Sequence, residues 1–318
     1  MGTLYIDKKG VLVKLDGGAL AFYDKGEKTG IVPISPLKSV VISSNVIIES
    51  SVLKALADHN IMVVFLSGKR MRFSGILRGR IHKNGLLRLK QYEKSLSSFA
   101  MEVARDIVRR KLLAQKEFLE SLKTERPDKI LFLDSSLNTL SKNLETISSA
   151  ESFENIRGLE GSSSSAYFSA YTQLFPPSLD FKKRVKRPPG DPVNAMLSFL
   201  YMRIHYEILR EVEMIGFDPT IGFYHQFDYG RDSLACDIVE LFRTEVDRFV
   251  YKIFKEKHLS LRDFAKDDER PGVYLKKHGR KKLFPLYEDW VGNLRPLFRE
   301  EVRVLARKVM DGADFVSE

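Results

Sequence analysis

The chain has 318 residues, 43% of them hydrophobic, and a formal net charge of +10 with a sequence pI near 9.4. This length suffices for one large domain or two ordinary ones. No apolar run approaches the roughly 20 residues that span a bilayer, and the start lacks the charged-then-apolar pattern of a secretion signal. The single cysteine excludes a disulfide framework within one chain and fits a cytoplasmic protein, and the positive charge favours nucleic acid over membrane as the polyanionic partner.

The first 75 residues have the alternation and turn signals of β-structure. Short runs rich in β-branched and aromatic residues are separated by Lys-Gly, Asp-Gly-Gly and Ser-Ser-Asn turns, and Val52–Asp58 has helical spacing. The predicted strands are Thr3–Asp7, Val11–Leu15, Leu20–Tyr23, Ser39–Ile42, Val46–Ile48 and Ile61–Leu66. We therefore expect a small, sandwich-like β domain over residues 1–78 that contains one short helix.

Beyond residue 78 the apolar residues change from a period of two to a period of 3.6. The segment from Gly75 to Gly85 holds three glycines and indicates a connector, which we assign to residues 79–86. The next predicted helices are Leu86–Lys123, interrupted near Ser95–Ser98, and Lys129–Ile147. An α-helical domain is thus predicted over residues 87–318, and the fold class is α+β.

Four consecutive serines, Ser162–Ser165, have the composition of a flexible linker, but their flanks favour a helix. Arg157-Gly-Leu-Glu-Gly precedes them, and the residues from Ala166 to Phe175 follow with helical spacing. Small side chains at the front of an apolar helix let a backbone or a phosphate approach closely. Glu160 lies there too, and because the helix dipole favours an acidic residue at an N-terminus, it can be either a capping charge or a ligand.

The densest basic run has five cations in seven residues and ends in a proline-rich break. Its cations are Lys182, Lys183, Arg184, Lys186 and Arg187. The break leads into the strongly apolar helix Val193–Ile215, with Asn194 in its first turn. As phosphate binders these cations, together with Arg231, Lys276 and Arg280, would give a salt-sensitive and largely sequence-independent affinity. The alternative for each of them is a solvated loop charge.

A histidine and two carboxylates follow in one short stretch. His225 precedes a Gly-Arg turn, and Asp237 and Glu240 lie three residues apart on one side of the next helix. Imidazole plus carboxylate suits Mn²⁺ or Mg²⁺, with further ligands from elsewhere in the chain. The alternative is a turn histidine and a solvated helix face, because the apolar residues form a buried stripe and both carboxylates lie off it.

Helices are expected to fill the remainder of the chain. Asp232 or Ser233 can cap the first of them by accepting a backbone N–H bond. This helix is predicted to run from Ser233 to about Lys255, with more helix within Leu259–Phe264 and Tyr274–Tyr287 and a closing helix at Leu294–Val309.

Four separate segments match one pattern in order and spacing. They are Leu-Glu160-Gly with the following Ala-x-Tyr-Phe; Arg187-Pro-Pro-x-Asp-Pro-Val-Asn194-Ala-Met-Leu-Ser; Gly-Phe-Asp-Pro-x-Ile-Gly-Phe-x-His225; and Gly-Arg231-x-Ser-Leu-Ala-x-Asp237-Ile-x-Glu240-x-Phe-Arg243. The sequence thereby resembles the CRISPR-associated integrase and endonuclease family of spacer acquisition, the first-numbered of the Cas proteins. The agreement is detailed over residues 155–245 and extends in layout to nearly the whole chain.

The resemblance implies a β-rich N-terminal domain, an α-helical catalytic domain and a homodimer. It also implies that Mn²⁺ or Mg²⁺ is bound by Glu160, His225 and Glu240, the last being aspartate in some members of the family. Asp237 matches a nearby acidic position and is expected to support catalysis by orienting His225 or a metal-bound water. Asn194 and Tyr167 are expected as neighbours of this site.

The activity that the resemblance implies is the insertion of captured DNA fragments into the repeat array by attack of a 3′-hydroxyl on a phosphodiester. With water as the attacking group, the same site would act as an endonuclease. The implied partners are double-stranded and branched DNA and a second small CRISPR adaptation protein that bridges two dimers. Two alternatives stay open: a non-catalytic DNA-binding scaffold of the same shape, and an unrelated metal-dependent phosphoesterase.

Overall fold

The computed structural model describes residues 2–68, 71–79, 84–225, 228–266 and 271–310. The chain forms two compact units. The first combines Met1–His82 with Tyr287–Gly292, and the second combines Lys83–Leu286 with Asn293–Glu318. The connector expected at residues 79–86 lies partly outside the described residues, as does the end of the expected helical domain, residues 311–318.

The first unit contains two four-stranded sheets and a short helix, α1 (Ser50–Asp58). One sheet has the order β1 (Thr3–Ile6), β5 (Ser39–Ile42), β7 (Met62–Ser67), β8 (Arg72–Leu77), in which only the last pair is antiparallel. The other has the order β4 (Glu27–Pro33), β3 (Ala19–Asp24), β2 (Leu12–Asp16), β6 (Ile47–Ile48), in which only the last pair is parallel.

Both sheets contribute side chains to one core. Val13 and Leu20 from one sheet and Val40 and Val63 from the other are at most 1% exposed and belong to the same cluster, which α1 completes with Val52. The alternation of apolar and polar residues along the strands places apolar side chains on one face of each sheet. Burial of each such side chain stabilises the fold by about 1.5–3 kcal/mol, which favours packing of the two apolar faces against each other. The arrangement agrees with the sandwich-like β domain predicted above.

Two strands of this unit, β4 and β8, are absent from the strands predicted above. β4 carries exposed or partly exposed residues throughout, so no apolar alternation marks it. β8 is an edge strand paired with β7, and its second half occupies the start of the glycine-rich segment that we interpreted as connector. That interpretation was wrong for Gly75, because glycine is tolerated at a sheet edge.

The second unit is mainly helical. Its elements are α2 (Gly85–Ser95), α3 (Ser98–Glu125), α4 (Ile130–Ile147), α5 (Phe153–Thr172), α6 (Pro192–Ile215), α7 (Ser233–Glu240), α8 (Arg243–Lys255), β9 (Phe264–Lys266), β10 (Val273–Leu275) and α9 (Lys277–Met310). Among the described residues, no helix combines the length and the apolar character needed to cross a membrane. The α+β class is confirmed, and α3 packs against α4, α5, α7 and α8.

Several predicted helix boundaries are confirmed and others are wrong. The interruption near Ser95–Ser98 exists, with Ser97 as the N-cap of α3, and the serines Ser162–Ser165 lie inside α5 as their flanks indicated. The helix expected from Ser233 to Lys255 is broken after Glu240 into α7 and α8. The helices expected at Leu259–Phe264 and at the start of Tyr274–Tyr287 are a short 3-10 turn and the antiparallel pair of β9 and β10.

Candidate active site

Three helices bring charged side chains into one buried cluster. Lys111 lies on α3, Glu160 on α5 and Glu240 on α7, and α3 packs against both other helices. The side chains of Lys111 and Glu240 are each 5% exposed, and that of Glu160 is 25% exposed. Lys111 is buried because it stands four residues from Ile107 and four from Gln115 on the inward face of α3.

The Lys111 ammonium binds both glutamates. Its Nζ donates to Glu160 Oε1 and, over 2.6 Å, to Glu240 Oε2. Glu160 Oε2 accepts a hydrogen bond of 3.0 Å from the Tyr224 hydroxyl, and Glu240 Oε1 lies 2.8 Å from Arg243 Nε. Each of the four carboxylate oxygens therefore has a cationic or hydrogen-bonding partner.

The opposite charges of this cluster stabilise one another and offset the cost of burying each ionised group. Burial alone would raise the pKa of both glutamates, but the pKa of Glu160 is lowered by Lys111 and that of Glu240 is lowered by Arg243 and Lys111. Burial alone would lower the pKa of Lys111, yet the two carboxylates raise it. Two carboxylates and two cations thus stay ionised together, as expected for buried charges that are paired.

The histidine loop is built around Asp237, which is fully buried. Its Oδ2 accepts backbone N–H bonds from Phe223 (2.6 Å) and Tyr224 (3.0 Å), and its Oδ1 lies 2.8 Å from both the backbone nitrogen and the ring Nδ1 of His225. Because a carboxylate only accepts, Nδ1 carries a hydrogen, which leaves Nε2 as the ring nitrogen that can bind a metal ion. A Cβ on Gly222 would lie 2.6 Å from the His225 carbonyl oxygen, so glycine is needed there.

The solvated-face alternative for Asp237 and Glu240 is wrong. α7 has only eight residues, and nearly all of them are buried, so it has no separate solvent face onto which the carboxylates could turn. Asp232 is the N-cap residue of α7, but its side chain makes no capping bond and instead lies 3.1 Å from His205 Nε2. Both carboxylates of this helix are interior groups held by specific partners.

Tyr167, expected as a neighbour of the site, lies in a buried tyrosine cluster. Its hydroxyl donates to Asp247 Oδ2 over 2.9 Å, Tyr201 donates to Oδ1, and Tyr171 donates to the Asp247 carbonyl over 2.9 Å. Burial raises the pKa of Asp247 to about 6. The centre of the Tyr201 ring also lies 4.6 Å from the Arg243 guanidinium, so this cluster supports Glu240 through Arg243.

Asn194, the other expected neighbour, organises the basic segment. Its Oδ1 accepts from the Val185 N–H and from Arg184, each over 2.9 Å, and its Nδ2 donates to the Lys183 carbonyl over 2.8 Å. Arg184 is turned inward as well, because it also binds the Ser198 hydroxyl and stands over the Tyr201 ring. Asn194 and Arg184 therefore shape this loop.

The other cations of the basic run have exposed side chains. These are Lys182, Lys183, Lys186 and Arg187. Lys182 pairs with Asp180 over 2.8 Å. Desolvation and repulsion by Arg243 lower the pKa of Lys186, while attraction by Glu240 acts in the opposite direction.

The remaining candidate cations have local partners. Arg231 lies 3.8 Å from Asp228 Oδ2. Lys276 donates to the Arg262 carbonyl over 3.1 Å. Arg280 donates to the Leu275 carbonyl over 3.0 Å, which ties the start of α9 to β10.

The sequence analysis did not identify Lys111 or Tyr224 as members of the site. The signal for Lys111 was a charged residue in the apolar stripe of a long helix, between Ala104 and Phe118. Tyr224 stands next to His225 but has no distinguishing pattern of its own. Its position is fixed by the backbone bonds that the loop makes to Asp237.

Glu160, Glu240 and His225 could bind a divalent metal ion if the Lys111 ammonium were displaced. Among the described residues, no three His, Cys, Asp or Glu side chains stand in a metal-binding arrangement. Glu160 and Glu240 nevertheless converge on one cation, the Lys111 ammonium, which stands in for a metal ion between two carboxylates. Two carboxylates and an imidazole whose Nδ1 hydrogen is bound by Asp237 are a donor set that fits Mn²⁺ or Mg²⁺.

Comparisons with known proteins identify the family of the chain. The family model described as CRISPR associated protein Cas1 matches residues 4–289. A relative from Thermodesulfovibrio yellowstonii, named CRISPR-associated endonuclease Cas1 1, is 52% identical over 318 residues, which is 100% of both chains. A Rhodospirillum rubrum protein, CRISPR-associated endonuclease Cas1 2, is 31% identical over 91% of this chain and 86% of its own.

Solved structures share the fold. A CAS1 protein from Thermotoga maritima superposes with a TM-score of 0.85 at 23% identity, covering 100% of both chains. A casposase bound to integration product has a TM-score of 0.85 at 20% identity, covering 99% of this chain and 93% of its own. A Cas6-RT-Cas1–Cas2 complex has a TM-score of 0.82 at 21% identity, covering 99% of this chain and 36% of its own. The chain therefore belongs to the CRISPR-associated Cas1 family.

Proposed function

We propose that the protein is a metal-dependent DNA endonuclease and integrase of CRISPR adaptation, which inserts captured DNA fragments into the repeat array. The observation that carries the proposal is the Glu160–Glu240 pair converging on one cation beside the histidine loop. It is supported by the 52% identity to a relative named as a CRISPR-associated endonuclease. Beyond membership of the family, we assign the binding of the metal ion to individual residues of this chain.

Glu160, His225 and Glu240 would hold the metal ion, Mn²⁺ or Mg²⁺, which when bound supplies Lewis-acid activation of the phosphodiester and of the attacking hydroxyl. Asp237 binds the hydrogen on His225 Nδ1 and thereby leaves Nε2 to bind the metal ion. Arg243 remains beside Glu240 and keeps that carboxylate ionised. Catalysis by this site is then mainly charge stabilisation and positioning.

The proposed reaction exchanges one phosphorus–oxygen bond for another. The oxygen of an incoming 3′ end forms a bond to a target phosphorus, and the bond from that phosphorus to the target's own 3′ oxygen breaks. The released oxygen takes up a proton, while the incoming hydroxyl loses one, so the exchange needs no external energy source. With water in place of the 3′-hydroxyl, the same exchange is hydrolysis and the protein acts as an endonuclease.

The proposed partners follow from charge and from the family. Double-stranded and branched DNA would contact the exposed cations Lys183, Lys186 and Arg187, with Lys182, Arg231, Lys276 and Arg280 as further candidates. Lys186 would bind a phosphate of the DNA backbone, because its side chain is exposed and its charge acts within reach of Glu240. A homodimer and a small Cas2-type protein that bridges two dimers complete the assembly, in line with the Cas2 complex among the structural neighbours.

Cleavage of a branched DNA by purified protein tests the proposal. We expect activity with Mn²⁺ or Mg²⁺ and a loss of at least about 100-fold in Glu160→Gln and in His225→Ala, because each removes a charge-stabilising group from the site. The control is Glu120→Gln, which changes an exposed glutamate of α3 that pairs only weakly with Lys116 at 3.8 Å. A single cooperative melting transition in each variant would show that the variants are folded.

Two results would contradict the proposal. If the wild-type protein binds DNA but ignores both metals, the scaffold alternative holds. If it hydrolyses a small phosphate ester faster than branched DNA, the unrelated phosphoesterase holds.

A further inference from the structure

Lys111 is an unusual residue on the inward face of a helix. Lysine is almost never fully buried unless its charge is paired, and the Lys111 side chain is only 5% exposed. Its neighbours on that face are apolar residues such as Val108 and Leu112. The flexible stem is therefore packed among apolar groups, and the ammonium depends for its stability on the two carboxylates that it contacts.

The ammonium takes the oxygens that a metal ion would need. Lys111 Nζ contacts one oxygen of Glu160 and one of Glu240. The other oxygen of Glu160 accepts from Tyr224, and the other oxygen of Glu240 faces Arg243. A divalent cation placed between the two glutamates would be repelled by an ammonium in the same position, so the two cannot occupy it together.

Of the two cations in the cluster, Lys111 is the one that can leave. Arg243 belongs to the same chain segment as Glu240, three residues on, and its guanidinium rests 4.6 Å from the centre of the Tyr201 ring. Lys111 approaches from another helix on a four-carbon stem that carries a compact point charge. Rotation of that stem moves the ammonium without any change of the backbone.

We infer that Lys111 is the internal counter-cation of the metal site: it neutralises Glu160 and Glu240 in the metal-free protein, and a divalent ion binds only by displacing its ammonium. Lys111 thereby allows the two glutamates to be buried together before any metal arrives. It also lowers the affinity of the site for the metal, because binding has to break two charge-assisted contacts. This inference rests on the proposed function, since it presumes the same metal site.

Mn²⁺ binding to the purified protein without DNA tests the inference, with free Mn²⁺ measured by electron paramagnetic resonance. Lys111→Met keeps the shape of the stem and removes the charge. We expect it to bind Mn²⁺ at least about tenfold more tightly than wild type, since the competing cation and its two charge-assisted contacts are gone. We also expect a lower melting temperature in the metal-free state that recovers when Mn²⁺ is added, because two carboxylates are then left without their shared partner.

The matched control is Lys123→Met. Lys123 lies on the same helix and also binds a carboxylate across a helix pair, Asp134 at 2.7 Å, but its side chain is 39% exposed. Its replacement should leave Mn²⁺ affinity at the wild-type value. A general effect of removing one positive charge would change both variants alike.

A second variant keeps the inference testable if the methionine variant does not fold. Lys111→Arg retains the charge and offers a planar fork that grips carboxylates more firmly. We expect it to fold and to bind Mn²⁺ more weakly than wild type. Binding of Mn²⁺ as tight as in wild type would contradict displacement of the cation at position 111.

The inference and the proposed function fail in different ways. If Glu160→Gln abolishes Mn²⁺ binding but folded Lys111→Met binds as weakly as wild type, only the counter-cation inference is wrong. If wild type and Glu160→Gln both fail to bind Mn²⁺ in the presence and absence of DNA, the metal site itself is wrong, and with it the proposed function.

Discussion

Asp247 is an interior carboxylate whose ionisation opposes folding. Two tyrosine hydroxyls bind its oxygens, yet burial outweighs them and raises its pKa from 3.8 to about 6. Between these values the unfolded chain loses the proton while the folded chain keeps it. Stability therefore falls as the pH rises through this window, and the full penalty is present above about pH 6.

Asp247→Asn should remove this pH dependence, because asparagine has a similar shape and does not ionise. The variant has weaker hydrogen bonds from the two tyrosines at every pH, which lowers its stability by a constant amount. The difference in free energy of unfolding between variant and wild type should nevertheless change by about 2 kcal/mol in favour of the variant between about pH 4.5 and about pH 7.5. Urea unfolding at both pH values measures the difference.

Tyr167→Phe is the companion variant. The Tyr167 hydroxyl lowers the pKa of Asp247, so its removal should raise that pKa further. The pH range over which stability falls should then extend above pH 6. A constant difference between Asp247→Asn and wild type across the pH range would mean that Asp247 is ionised in the folded protein throughout.

At the residue scale, the sequence predicted some members of the site and not others, for a physical reason. Glu160, His225 and Glu240 were singled out by local spacing and by resemblance, both of which are readable along the chain. Lys111 acts only because α3 packs against α5 and α7, and that packing has no local trace. The burial of Asp237 was missed for the same reason, since nearly every side of α7 is covered by other elements.

α2 holds the backbone that leads into the histidine loop. The Gln91 amide is fully buried: its nitrogen donates to the carbonyls of Asp218 (2.8 Å) and Ile221 (2.6 Å), and its oxygen accepts the Asp218 N–H over 2.9 Å. Arg88 donates to the Gly216 carbonyl over 3.1 Å. The segment that ends at His225 therefore depends on a helix far away in sequence.

Gln91→Leu should loosen this segment. It leaves one backbone N–H and two carbonyls without their partner, which costs about 2–4 kcal/mol. We expect faster hydrogen exchange at Asp218 and weaker Mn²⁺ binding, because His225 is then held less firmly. Gln91→Glu keeps an acceptor for the Asp218 N–H but sets a buried carboxylate oxygen against the two carbonyls, so it should loosen the segment at least as much as the leucine variant.

Glu93→Gln controls for changes to the surface of α2, because Glu93 is two residues from Gln91 and its side chain is 55% exposed. Wild-type exchange rates at Asp218 in Gln91→Leu would show that other contacts hold the loop.

At the scale of elements, the long amphipathic helices could be predicted from the sequence, but the breaks between consecutive helices and the shortest strands could not. Apolar residues continue in phase from α7 into α8, so periodicity alone predicts one helix, although the chain turns at Leu241 and Phe242. β9 and β10 have three residues each, too few to show an alternation. β4 has no apolar alternation, because its two apolar β-branched residues, Ile31 and Val32, are adjacent and its other side chains are exposed.

Across the whole molecule, many cations are already used to hold helices together. Arg110 pairs with Glu301, Arg295 with Glu207 at 2.8 Å, and Arg299 with Glu211 at 2.9 Å. Arg184 likewise serves the fold through Asn194. Cations held in such pairs are less available to DNA, and the exposed part of the basic run is therefore the most concentrated candidate among the described residues.

The triple variant Lys183→Ala, Lys186→Ala, Arg187→Ala tests whether this segment binds the DNA backbone. Each phosphate contact contributes about 0.9 to the slope of log affinity against log salt concentration, so we expect the slope to become shallower by up to about 3. Fluorescence anisotropy of a labelled duplex over a range of NaCl concentrations measures it.

A second triple variant separates local contacts from net charge. Lys8→Ala, Lys14→Ala, Lys28→Ala removes the same total charge from the first unit, where these lysines pair with Asp24, Glu49 and Asp16. Its salt dependence should stay close to that of wild type, because paired lysines release few counterions on binding DNA. Equal slopes in the two triple variants would mean that DNA responds to the overall charge, and the basic run would then have no special part in holding the substrate over Glu160 and Glu240.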